Sequence, residues 1–141
     1  MSISLSEFPP ICDTYAPHII SREKSCEHRA NNKTLKRVRH YKIDGGVISD
    51  VNIIKCDYLL INDDSEKAYF IELKGSDISH AIKQIEATVA MFRNELSGYI
   101  FLFRIIYRTG SHSIHDRRIT EWKKKYRGKQ IIRQGSYEED I

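Results

Sequence analysis

The chain has 141 residues, 40% hydrophobic and 30% charged, which suits one compact domain around one core and leaves little room for a second. No run of about 18 apolar residues could span a bilayer. Met1 to Pro10 lacks the basic start and apolar stretch of a secretory signal, so a soluble, cytoplasmic protein with no membrane partner is expected. The formal net charge is only +4, and Cys12, Cys26 and Cys56 are widely spaced with no CxxC pair, which favours free thiols over zinc or redox chemistry.

Pro9, Pro10 and Pro17 keep the first 20 residues from forming a long helix. Ser21 to Ala30 is read as a helix stopped by Asn31 and Asn32, and Leu35 to Ile43 as a strand ended by Asp44, Gly45 and Gly46. Ile53 to Ile61 and Ala68 to Leu73 are rich in β-branched, aliphatic and aromatic residues and flank the polar run Asn62 to Lys67, which predicts a hairpin. Ile78, Ala81, Ile82, Ile85, Val89, Phe92 and Leu96 recur at helical spacing, with Gly98 as a C-terminal stop. Tyr99 to Tyr107 is almost continuously apolar, as a strand buried on both faces and parallel to an earlier one would be. A helix near Ile114 to Tyr126 and a short strand near Gln130 to Arg133 complete the chain. The division is an irregular segment at 1–20, a core at 21–107 and a basic C-terminal extension of the same domain at 108–141.

Charge is unevenly distributed. Arg22, Lys24, Arg29, Lys33, Lys36, Arg37, Arg39 and Lys42 face only Glu23 and Glu27 in one basic arm. A second holds Arg108, Arg117, Arg118, Lys123, Lys124, Lys125, Arg127 and Lys129 against Asp116 and Glu121, while Asp44 to Glu95 is net acidic. Two basic flanks around an acidic centre suit a polyanion held by its phosphates, with Arg37, Arg39, Arg117, Arg118, Lys123, Lys124 and Lys125 as candidate contacts. An ordinary solvated surface is the competing reading.

The hairpin concentrates chemistry at one end. A short loop requires paired residue numbers to sum to about 129 to 131, which sets Asp57 opposite Glu72 or Lys74. Side chains alternate along a strand, so Glu72, Lys74 and their cross-strand partner share a face. Two carboxylates and an ammonium amid Tyr58, Leu59, Leu60, Phe70, Ile71 and Leu73 cost stability unless paired, solvated or bound to an ion. Phosphodiester hydrolysis needs such a cluster. Asp57 and Glu72 are hard oxygen ligands for Mg²⁺ or Mn²⁺, with a backbone carbonyl such as that of Leu73 beside them, and Lys74 is placed to orient water or stabilise charge on phosphorus.

Cys56-Asp57-Tyr58-Leu59-Leu60 followed by Phe70-Ile71-Glu72-Leu73-Lys74-Gly75 resembles the PD-(D/E)XK nuclease superfamily, in which an Asp opening one strand precedes an E-x-K on the next. Cys56 stands where the family's name has proline. The resemblance covers roughly residues 21–107. It implies an α/β fold with a restriction-endonuclease-like αβββαβ core, a mixed central sheet flanked by helices and, here, a basic C-terminal helical extension. It also implies Mg²⁺-dependent cleavage of nucleic acid, with DNA favoured, and small members of this kind often act as homodimers or in larger assemblies. Gln84 resembles the Gln of a Q-x-x-x-Y pattern in some branches, although Thr88 replaces the Tyr. A Glu on the first helix beside the metal is a further family feature, and of Glu23 and Glu27 the resemblance favours Glu27, whose distance from Asp57 is similar to that in small resolvases.

Three other readings compete with parts of this scheme. His112, His115 and Asp116 offer a weak metal cluster, and Trp122 could stack on bases, though packing against the core is the simpler role. A plain salt bridge from Lys74 to Asp57 or Glu72, or a nuclease fold that binds without cutting, would account for the same residues.

Overall fold

The computed structural model describes residues 3–109 and 116–141. In chain order it contains β1 (His18–Glu23), β2 (Cys26–Asn31), β3 (Val38–Lys42), β4 (Tyr58–Asn62), β5 (Lys67–Lys74), α1 (Ile78–Phe92), β6 (Ile100–Tyr107), α2 (Arg117–Lys125), β7 (Gln130–Gln134) and β8 (Ser136–Asp140). The fold is α/β with two sheets. A five-stranded sheet has the order β3-β4-β5-β6-β7, and a three-stranded sheet the order β1-β2-β8.

The large sheet is mixed because its connections differ in length. A tight turn at Asn62–Lys67 makes β4 and β5 antiparallel, whereas α1 carries the chain back so that β6 runs parallel to β5. Every residue of β4 is buried, which is why its sequence reads as a continuous apolar run. α1 lays Ile78, Ala81, Ile82, Ile85, Val89 and Phe92 against Leu59, Ile61, Phe70, Phe103 and Ile105. Phe70 is fully buried at the centre of this layer, where truncation to alanine would cost about 3–5 kcal/mol. α2 joins the same face through Ile119 and Trp122. Before β1, the N-terminal segment is tied down rather than frayed: Leu5 is fully buried and its N–H donates to Glu95 Oε1 at 2.9 Å.

The opposite face corrects the helix expected at Ser21 to Ala30. β1 and β2 form an antiparallel hairpin there, and its residues Ile19, Cys26 and Ala30 pack on Tyr58, Leu60, Ile71 and Leu73. The sheet is therefore covered by helices on one face and by a small sheet on the other. The segment does alternate with period two, but buried polar side chains disguise it. Ser21 bonds the ring of His40 at 2.9 Å, and His28 bonds Glu139 at 2.7 Å. Paired polar groups tolerate burial, so a strand can hide its inward face behind a polar sequence.

Residues 116–141 are built into both sheets rather than appended. β7 extends the large sheet in parallel with β6, and β8 then runs parallel to β2. The chain passes between the sheets at Gly135, whose φ of 78° favours glycine. Glu139 on β8 fastens the layers by accepting from Arg104 of β6 at 2.7 and 2.9 Å as well as from His28 of β2. Burial pushes the Glu139 carboxyl up, but the hydrogen bonds from His28 and Arg104 outweigh this and hold it down at about 2.

Candidate active site

Asp57 stands just before β4, where its carbonyl accepts the N–H groups of Ile43 at 2.8 Å and Asp44 at 3.4 Å. Tyr58 pairs with Ile71, so continuing the ladder by one residue sets Asp57 across from Glu72, one of the two expected registers. The two residues interlock. The Asp57 N–H donates to Glu72 Oε1 at 3.0 Å, and the Leu73 N–H donates to Asp57 Oδ2 at 2.9 Å. Asp57 is 8% exposed and Glu72 2%. Among the described residues, Asp57 Oδ1 and Glu72 Oε2 have no hydrogen-bond partner in the protein.

Lys74, two residues beyond Glu72 on the same face, does not close an ion pair with either acid among the described residues. Its ammonium instead donates to Gln84 Oε1 at 2.9 Å. Gln84 sits on α1 and is held in turn by donating from Nε2 to the Lys55 carbonyl at 3.0 Å. Thr88, a turn later and fully buried, accepts the Cys56 N–H at 2.8 Å and donates to the Gln84 carbonyl at 2.9 Å. Two polar residues of α1 thereby fix the segment that leads into Asp57. The Thr88 hydroxyl thus ties α1 to the residues just before β4.

These groups line a cavity of about 290 Å³ together with Glu23, Lys24, Ser25, Cys26, Asp44, Leu73, Gly75 and Arg108. Burial pushes the Asp57 carboxyl up to about 6. The Leu73 N–H opposes that shift, Glu23 and Asp44 add to it, and Lys74 draws it down. Glu72 is pushed higher still, first by burial and then by the charge of Asp57. Two carboxyls that cannot both ionise cheaply, each with an oxygen to spare, make a site for positive charge. Among the described residues no three His, Cys, Asp or Glu side chains form a ready-made metal cage. A bound Mg²⁺ or Mn²⁺ would therefore rest on the two carboxylates, main-chain carbonyl oxygen such as that of Leu73, and water.

The other residues singled out in the sequence fall elsewhere. Glu27 does not line the cavity: it is paired with Arg22 and sits on the face of β2 opposite buried Cys26, because the segment is a strand and not a helix. Arg37 and Arg39 lie at the far end of the hairpin, neutralised by Asp64 at 2.9 Å and Asp63 at 2.7 Å. Arg117 pairs with Glu121 one turn along α2, and Arg118 is exposed beside it. Lys123 and Lys124 line a shallow groove with Arg127 that shares no residue with the Asp57 cavity, and Lys125 lies over the Tyr126 ring. Trp122 is buried against Phe103, with ring centroids 5.6 Å apart. His112 and His115 lie outside the described residues, and Asp116 caps the N-terminus of α2.

Sequence reasoning missed Lys24, Ser25, Asp44, Lys55 and Arg108. Lys55 is the least expected, since it is 6% exposed and donates to the Asp50 and Ile53 carbonyls, each at 2.9 Å, with Asp44 3.6 Å away. Only Asp44 had a usable signal, because the β3–β4 pairing of Lys42 with Tyr58 brings the end of β3 alongside Asp57. No family model, curated protein or solved structure was found to match this chain.

Proposed function

We propose that the chain is a divalent-metal-dependent nuclease that hydrolyses phosphodiester bonds, with DNA as the favoured substrate. The observation that carries this reading is the interlocked pair Asp57 and Glu72, buried together and, among the described residues, in no ion pair, while Lys74 donates to Gln84. A structural ion pair would join Lys74 to a carboxylate, and a purely structural core would not retain two raised acids at a cavity wall. The run β3-β4-β5-α1-β6 fits the strand, strand, strand, helix, strand portion of a restriction-endonuclease-like core, with the β1–β2 hairpin in place of the first helix.

Asp57 and Glu72 would hold Mg²⁺ or Mn²⁺, which when bound supplies charge to the phosphate and acidifies its water. Asp57 keeps one oxygen on the Leu73 N–H and turns the other to the cavity, so its orientation is set by the sheet. Lys74 would donate to charge on the phosphoryl oxygens, and Gln84 orients the ammonium by accepting its hydrogen bond. The test is incubation of purified protein with single- and double-stranded DNA and RNA in Mg²⁺, in Mn²⁺ and in chelator. Cleavage that needs the ion and is lost in Asp57→Asn and Lys74→Ala is the expected result. Undiminished cleavage by both variants overturns the assignment. Salt-sensitive binding without cleavage under any divalent ion would make the domain a nucleic-acid-binding subunit instead.

A further inference from the structure

The seven basic residues singled out as phosphate contacts do not line the cavity, but two other members of the basic arms do. Besides Lys74, its wall carries Lys24 and Arg108, both exposed, and among the described residues neither is in an ion pair. They come from opposite sides. Lys24 belongs to the β1–β2 turn in the small sheet, and Arg108 follows β6 in the large one.

Both are anchored by their main chains. Glu23 pairs with Cys26, leaving Lys24 and Ser25 as a two-residue turn, and Lys24 has a φ of 52°. That left-handed conformation belongs to Gly, Asn or Asp in such turns, and a lysine adopts it at a cost. The turn is pinned at its base, where the Tyr58 hydroxyl donates to the Arg22 carbonyl at 3.1 Å and the Cys26 thiol points at the Lys74 carbonyl, 3.7 Å away. Arg108 donates its N–H to the carbonyls of Lys74 and Gly75 at 3.0 and 3.1 Å, and its own carbonyl accepts from Gln134 at 3.0 Å. Its guanidinium is near enough to Cys26 to offset part of the rise that burial imposes on that thiol. Two cations with anchored main chains thus line the same acidic floor, and among the described residues its lining includes no aromatic side chain on which a base could stack.

We propose that Lys24 and Arg108 form a clamp on the phosphodiester backbone, holding phosphates on either side of the one at Asp57 and Glu72 and reading backbone rather than base. This rests on the nuclease reading for the identity of the floor, but the clamp itself is a binding device and can be tested without cleavage. The probes are labelled single-stranded oligonucleotides, one of mixed sequence and one of thymidine only, titrated with the intact chain in chelator over a range of salt. Lys24→Gly relieves the turn while removing the charge, and Arg108→Gln keeps the side-chain length. Each substitution is expected to weaken binding roughly three- to tenfold at low salt. Each should also flatten the slope of log affinity against log salt by about 0.7, equally for both oligonucleotides, as loss of one phosphate contact does on a single strand. Lys67→Gln, at the other end of β5, should change neither, and the melting temperature of Lys24→Gly should not fall. Wild-type slopes in both variants would overturn the clamp whatever the cleavage result, as would a strong preference for one oligonucleotide or no binding by the unaltered chain. Flattened slopes in a protein that cleaves nothing would support the clamp and remove the nuclease.

Discussion

The two ends of the β4–β5 hairpin hold similar residues and do opposite things with them. At the loop end, Asp63 accepts Arg39 at 2.7 and 2.9 Å and the Tyr99 hydroxyl at 2.6 Å, while Asp64 accepts Arg37. Burial pushes the Asp63 carboxyl up, but Arg39 and Tyr99 more than reverse it and hold it below its ordinary range. At the open end, Asp57 and Glu72 face each other, Lys74 is turned to Gln84, and both acids are pushed up. Nearness of opposite charges therefore does not mark a site. What distinguishes the open end is charge left unneutralised where water is scarce, which stabilises nothing unless something binds.

The difference can be broken most sharply by chemistry. Lys74→Ala should lower metal-dependent cleavage by about 10²- to 10³-fold while circular dichroism and melting stay near wild type, because among the described residues the ammonium is in no ion pair. Removing the partner of that ammonium is milder: Gln84→Ala should reduce kcat about tenfold with KM little changed, read from initial rates.

Stability should respond with opposite signs at the two ends. A carboxyl whose folded pKa is raised contributes stability that is complete below its unfolded range near 3.8 and is lost as pH rises through about 6. In chelator at about pH 8, Asp57→Asn should therefore unfold later than wild type, by about 2 kcal/mol in urea titrations, since the amide still accepts the Leu73 N–H without charge. Asp63→Asn should do the reverse. Its lowered carboxyl contributes above the ordinary carboxylate range and loses that contribution in acid, so at neutral pH the substitution should cost about 1 kcal/mol and leave cleavage unchanged.

Much of this arrangement was legible because period-two and period-3.6 patterns are strong where the buried residues are apolar. Ile53 to Ile61, Ala68 to Leu73 and the α1 stripe announced the hairpin and crossover, and loop length narrowed the residue opposite Asp57 to Glu72 or Lys74, of which the ladder selects Glu72. Strand β4 begins only at Tyr58, and the residues before it form a loop in which the Lys55 ammonium bonds the carbonyls of Asp50 and Ile53. The β1–β2 hairpin was not legible, because its inward positions include Ser21 and His28, whose partners His40 and Glu139 are far along the chain. That error carried Glu27 into the expected site in place of Glu23, which lines it. Which members of the basic arms reach the cavity was hidden for a related reason. A cation's role depends on whether an acid has already claimed it, and the partners of Arg37 and Arg39 lie some 25 residues away across the sheet.

The central claim is that the open end of the hairpin is completed by a divalent cation. A crystal soaked in Mn²⁺ and measured at a wavelength where manganese scatters anomalously tests it directly. The account predicts one anomalous peak within roughly 2.0–2.6 Å of oxygens from both Asp57 and Glu72. A cavity without such a peak, with Lys74 swung from Gln84 to pair with the two carboxylates, would contradict it.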